Sequence, residues 1–328
     1  MKTKKIAALT LSAAMILTGL TACGESNPLR SSSTDKKIVM KVGDEKVKYE
    51  EYRYFYLNNK RDLYGEGAEL TAEEENSIKQ LVETNVVDRH TLRLMANDYG
   101  VKLTKDDEQR TNAYVETFRT TCGDDEAYKN QLKNQYLNEP FFKELTSDTT
   151  IAYALLDEMA NQGGIAVSEA DYEAAIKTDE VLCLKEIYIT YPSAELKDWA
   201  RERAEEVMAK LKAGGNFEEL MAEYSNYNGD DLPPEHGYYT MEYDALEEIW
   251  DTAKDLKEGE YSDIVETAFG YHIVKRSAKD NDYIGTIHDE LYEIFRQSRF
   301  YKKFYEYRST VGVEYTEFGE GLNDGNIT

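Results

Sequence analysis

Hydrophobic periodicity changes twice along this 328-residue chain, and that constrains its fold more than any other feature. From Tyr49 to about Asn161, apolar residues recur at helical spacing. From Val181 to about Ser277 the pattern becomes strand-like with interspersed helices, and after Asp282 the helical spacing returns. A continuous sheet protein and a simple bundle are both excluded. The pattern predicts an α+β chain in which helices bracket an α/β insert, and the length suits about two domains at ~150 residues each.

The local signals agree. Ile38, Met40 and Val42 alternate with polar neighbours before the turn Gly43-Asp44, so residues 38–48 read as two short strands. Thr71 followed by Glu74 has capping-box spacing, and Ile78, Leu81, Val82, Val86, Leu92 and Met95 form the stripe of the helix it opens. Thr104–Thr120, Asp124–Leu137 and Pro140–Asn161 read as three further helices. A boundary at Gly163-Gly164 precedes the apolar, β-rich run Val181–Ile189. A charged helix follows over Ser193–Ala213, with Ala200, Ala204, Val207, Met208 and Leu211 on one side. Tyr261–Val265 and Tyr271–Lys275 read as strands joined through Phe269-Gly270.

The first 22 residues form a leader. Lys2, Lys4 and Lys5 precede the uncharged, mostly apolar run Ile6–Leu20, a charged start and short core of secretory type. The run is too short for a comfortable membrane span. Leu20-Thr21-Ala22-Cys23 resembles the bacterial lipobox, which implies lipidation of Cys23 and a mature protein tethered to the outer face of the cell membrane. The Ser-rich stretch over 23–37 reads as a flexible tether. With 64 acidic against 39 basic residues and a net charge of −25, the chain is excluded as a general nucleic-acid binder. The same acidity means that lipid, not a basic patch, does the anchoring. Cys122 and Cys183 read as unpaired thiols, and no Zn, P-loop or serine-nucleophile motif is present.

One string within the insert carries chemistry. Lys210-Leu-Lys-Ala-Gly-Gly-Asn-Phe-Glu-Glu-Leu220 is followed by Glu223-Tyr-Ser225, Leu256-Lys-Glu-Gly-Glu-Tyr-Ser262 and Thr267-Ala-Phe-Gly-Tyr-His-Ile-Val274. In residues, order and spacing this resembles the parvulin peptidyl-prolyl isomerase domain. With the lipobox, the N-terminal helices and the returning helix, the whole chain resembles a PrsA-type foldase lipoprotein related to SurA.

The resemblance implies a leader over 1–22, a helical chaperone region over 38–177 and a parvulin-like domain over 181–277 with a four-stranded antiparallel sheet. A C-terminal helix and tail over 282–328 would pack on the helical region. It further implies unfolded or folding secreted polypeptides as partners, proline-containing segments among them, with no cofactor and no metal.

Carried over residue by residue, His272 matches the second of the family's two central histidines, and Thr267 also matches. The first histidine falls on Glu186, and the Asp or Cys position falls on Tyr227. The Gly-Gly-Asp-Leu-Gly-Trp-Phe segment survives as Glu235-His-Gly-Tyr-Tyr239. Catalysis is therefore expected to involve His272, Glu186 and Tyr227, with Tyr239, Ile249, Thr267 and Phe269 lining the substrate site. A carboxylate in place of an imidazole changes both charge and hydrogen bonding, so isomerase activity is expected to be low. His272 reads equally as a core histidine on a sheet. His236, beside Asp230, Asp231 and Glu235, reads as part of a solvated acidic loop. The rival class, a lipoprotein that binds solutes for a transporter, would require two similar α/β lobes, whereas the strand-rich pattern occurs once.

Overall fold

The computed structural model describes residues 33–65, 67–191, 196–226 and 236–328; Cys23 and Tyr227 lie outside them. A 3-10 turn at Ser33–Lys36 leads to β1 (Ile38–Val42) and β2 (Glu45–Lys48). Five helices follow: α1 (Tyr49–Tyr64), α2 (Ala72–Asp98), α3 (Lys105–Thr121), α4 (Asp125–Asn134) and α5 (Glu139–Asn161). Then come α6 (Glu169–Ala175), β3 (Leu182–Thr190), α7 (Lys197–Lys212), α8 (Phe217–Tyr224), β4 (Tyr238–Thr240), α9 (Glu247–Ala253), β5 (Val265–Thr267) and β6 (Gly270–Ser277). The chain ends with α10 (Asn281–Thr286), α11 (His288–Arg308), β7 (Val313–Tyr315) and the single turn α12 (Glu317–Glu320).

The described residues form two compact units. One comprises the residues up to 165 together with 303–328, and the other comprises 166–302, so the second division falls inside α11. The expected segment limits at 177/181 and 277/282 lie elsewhere in the chain from these divisions.

In the first unit the hairpin turns at Gly43, whose φ of 56° is left-handed and whose missing Cβ would lie 3.0 Å from Leu94. The capping box at α2 forms as the spacing requires: Glu74 N–H donates to Thr71 Oγ1 at 3.3 Å, and Thr71 N–H donates to Glu74 Oε2 at 2.8 Å. Thr104 and Asp107 repeat it at α3. Val42, Tyr52, Tyr56, Ile78, Val82, Val86 and Phe142 share one core.

Inside this unit lies a buried ion network. The Arg89 guanidinium donates to Glu51 Oε1 and to Asp148 Oδ2, both at 2.6 Å, joining α2 to α1 and α5. His90 Nε2 lies 3.1 Å from Glu51 Oε2.

Two features here go beyond the sequence pattern. The sheet has a third strand, in the order β2-β1-β7, with Met40 opposite Tyr315. Val39 is buried as fully as Met40, because Thr316 N–H donates to Val39 O at 2.9 Å and Gly319 packs on the same carbonyl. β7 has only three residues, two of them exposed, and so carries no alternation of its own.

The second unit is built on a four-stranded antiparallel sheet of order β4-β3-β6-β5. One face, with Ile187, Ile189, Tyr271 and Ile273, packs on α7 and α8 through Ala200, Ala204, Val207, Leu211 and Phe217. The other face carries Leu182, Leu184 and Val274 and packs on Ile249 and Ala253 of α9. The strand expected over Tyr261–Val265 begins only at Val265. Tyr261 makes a single bridge to Lys275, with Gly259 N–H and Ser262 N–H donating to Arg276 O and Val274 O at 2.8 Å, so this stretch runs along β6 without forming a continuous strand. Cys122 and Cys183 are free thiols. Among the described residues no helix is long and apolar enough to cross a membrane.

Candidate functional site on the α9 face of the sheet

Antiparallel register decides which side chains meet. Tyr188 of β3 lies opposite His272 of β6, and Glu186 lies opposite Val274, so Glu186, Tyr188 and His272 project from the same face. Glu186 and His272 are each 5% exposed, and His272 Nδ1 bonds directly to Glu186 Oε1. Across the ring, His272 Nε2 lies 2.8 Å from Thr267 Oγ1, which also accepts the Phe269 N–H at 3.1 Å. Tyr188 stacks on the imidazole with centroids 4.7 Å apart and planes at 16°, and its hydroxyl donates to Phe269 O at 2.9 Å. Tyr238 of β4 donates its hydroxyl to Glu186 Oε2 at 3.1 Å.

The chemistry of this cluster follows from the donors. A carboxylate only accepts, so the Nδ1 facing Glu186 carries a proton. In the neutral ring Nε2 then accepts from the Thr267 hydroxyl. In the imidazolium it donates instead, and the Thr267 hydroxyl turns to Gly270 O at 3.4 Å. In either state both ring nitrogens are engaged by protein groups.

The expected site residues divide clearly. Glu186, His272 and Thr267 are brought together, and Phe269, 59% exposed, closes the β5–β6 turn beside them. Tyr239 is not with them. It pairs with Cys183 on the opposite face, exchanges hydrogen bonds with the Asp280 backbone, and its phenol is pushed up to about 12 chiefly by burial. Ile249 is 3% exposed and belongs to the apolar layer between α9 and the sheet.

Sequence reading missed Tyr188 and Tyr238. The period-2 alternation of Tyr238, Tyr239 and Thr240 was the available signal, but it does not say which side chain shares the α9 face with Glu186 until the register Leu184 to Tyr238 is known. Gly237 makes that register possible: its φ is 80°, and a Cβ there would lie 2.8 Å from Leu184 O.

A family model of the PPIC-type PPIase domain (Rotamase) matches residues 182–278, and a model of the SurA-like N-terminal domain matches residues 1–149. The chain belongs to the PrsA/SurA-type foldase family. It is similar to the foldase protein PrsA of Bacillus subtilis, with 28% identity over 287 residues that cover 85% of this chain and 78% of that one. It is also similar to the chaperone SurA of Hydrogenovibrio crunogenus, with 23% identity over 244 residues, covering 68% of this chain and 50% of that one. The chain thus spans about half the length of this SurA relative. The crystal structure of PrsA from Bacillus subtilis aligns over 84% of this chain and 93% of that one, with 19% identity and a TM-score of 0.28. The PPIC-type match takes in the whole sheet, so the Glu186, His272 and Thr267 cluster lies within the isomerase domain of a PrsA/SurA-type chain.

Proposed function

We propose that this PrsA/SurA-type chain is an extracytoplasmic foldase, tethered through lipid on Cys23 to the outer face of the cell membrane. It binds unfolded secreted polypeptides and isomerises their X–Pro bonds only weakly. The leader and Cys23 support the location, and the two family matches in chain order support the foldase assignment.

X–Pro isomerisation crosses a barrier of ~20 kcal/mol and takes tens of seconds or longer unaided. A catalyst must favour the twisted amide over both planar forms, through an apolar seat for the ring and donors aimed at the strained carbonyl or nitrogen. His272, Glu186 and Thr267 form the polar centre of this site, and the exposed Phe269 ring offers apolar contact to an incoming chain. The observation that carries weak catalysis is the carboxylate facing His272. It binds the Nδ1 proton while Thr267 occupies Nε2, so neither ring nitrogen is left to assist an amide.

The test is a proline-isomerisation assay and an aggregation-suppression assay on the full mature chain, each with His272→Ala alongside. Low isomerisation, not restored by Glu186→His alone, together with suppressed aggregation is the expected result. Parvulin-level activity abolished by His272→Ala would overturn weak catalysis, and absence of any aggregation suppression would overturn client binding. For the anchor, Cys23→Ala should release the protein or leave it unprocessed; tight membrane retention of a processed form would refute lipidation.

A further inference from the structure

We propose that Tyr238 is a positioning residue of this site: its hydroxyl orients Glu186 so that the carboxylate holds His272 in the tautomer protonated on Nδ1. The proposal rests on the reading of this sheet face as the isomerase centre, but its test does not depend on turnover.

The neutral histidine side chain in water favours the proton on Nε2, so the opposite tautomer has to be imposed by an acceptor at Nδ1. Glu186 supplies that acceptor from the neighbouring strand, diagonal to His272 in the ladder. A glutamate side chain has three rotatable bonds, and a donor held on its second oxygen helps to fix the carboxylate plane. Tyr238 supplies such a donor. Standing on β4, on the far side of β3 from His272, it donates to Oε2 at 3.1 Å while Oε1 faces the imidazole. The carboxylate is therefore gripped from both flanking strands.

Tyr238 itself is seated against the apolar layer of Leu182, Leu184, Ile249 and Val274, which fixes the direction of its hydroxyl. The donors form one directed series: Phe269 N–H to Thr267, Thr267 O–H to His272 Nε2, His272 Nδ1–H to Glu186, with Tyr238 O–H arriving at Glu186 from the other side. The tyrosine also falls where the parvulin pattern has Trp, as Glu186 falls where it has His, so the two departures form one hydrogen-bonded pair.

The experiment is side-chain 15N NMR of the full chain labelled at histidine, with the His272 signals assigned by His272→Gln. The unaltered protein should show a protonated Nδ1 and an unprotonated Nε2 above the titration of the ring. Tyr238→Phe, which removes only the hydroxyl, should shift the tautomer ratio about tenfold toward Nε2–H, the effect of losing one hydrogen bond to a charged group. Tyr239→Phe, on the opposite face of the sheet, should leave the ratio unchanged.

An unchanged ratio in Tyr238→Phe would overturn the proposal, and so would an Nε2–H form in the unaltered protein. Loss of the folded spectrum in Tyr238→Phe would overturn it too, by making the hydroxyl a determinant of folding rather than of ring orientation. Absence of isomerisation in every form, beside a shifted ratio, would count against the isomerase reading while leaving the positioning role intact.

Discussion

Lys60 in α1 donates two hydrogen bonds to Asp324, at 2.6 Å and 2.8 Å, across 264 residues of chain. The bond belongs to a strap. Tyr56 donates to the same carboxylate at 3.2 Å, Thr328 N–H donates to the Tyr49 hydroxyl at 3.2 Å, and Leu322 and Ile327 are buried in the same core as α1. Truncation after Glu320 removes these two buried side chains and all four hydrogen bonds. The expected loss is about 3–5 kcal/mol of stability in the unit of α1–α5, read by hydrogen exchange. Equal loss of protection in the β3–β6 sheet would show that the strap is not specific to its own unit.

Arg89, 2% exposed, satisfies two buried carboxylates at once. Arg89→Ala takes the buried guanidinium from both, leaving Glu51 with His90 and Asp148 with Arg93, and should cost about 3–5 kcal/mol; a loss below about 1 kcal/mol in urea unfolding would contradict the network's role.

The same network sets an acid limit. Burial pushes the Glu51 carboxyl up, but Arg89 and His90 outweigh it and hold it at about 2 against an ordinary 4.5. Because the folded value lies below the unfolded one, this stability is fully present above about pH 4.5 and is lost as the pH falls toward 2. Asp148 has the opposite sign: burial raises it more than Arg89 and Arg93 lower it, so its protonation does not add to the acid loss. Glu51→Gln should flatten the fall in urea midpoint between pH 4.5 and 2. An unchanged slope would mean that other carboxylates govern acid unfolding.

Ile249, expected from the family pattern to line a substrate site, instead fills the layer under α9. Ile249→Ala should therefore cost about 2–4 kcal/mol in the sheet unit. Substrate KM should change little at temperatures where the variant is folded. A raised KM with unaltered thermal stability would return Ile249 to the substrate surface.

His288 bonds Glu169 at 2.6 Å and Asp289 at 3.2 Å, with Tyr172 and Tyr292 rings against it. The Glu169 bond first, and the Asp289 bond second, hold its imidazole above the ordinary value of 6.5. A raised folded value means that the contribution is fully present below about pH 6.5 and disappears as the pH rises through the folded value. An NMR titration should place the His288 midpoint above 6.5, and Glu169→Gln should lower it. A midpoint indifferent to Glu169→Gln would refute the pairing.

Much of this molecule is written locally. Thr71 with Glu74, the stripe Ile78–Met95, the alternating β1 and the run Val181–Ile189 each state their own element, because caps, helical stripes and strand alternation depend on residues a few positions apart. Order and spacing around Thr267 to Val274 were enough to indicate the isomerase domain, and the substitution at Glu186 was visible as a departure from its pattern.

What the chain alone did not decide depends on partners distant in sequence. β7 is a strand only because β1 offers it an edge, and Val39 is core only because the C-terminal turn covers it. Arg89, Glu51 and Asp148 look like polar positions on three separate helices until packing removes water from all of them together. The choice between Tyr238 and Tyr239 at the site rests on a one-residue register. Side chains on a strand alternate strictly between faces, so only the pairing of β4 with β3 sends the Tyr238 hydroxyl to Glu186 and the Tyr239 hydroxyl away from it.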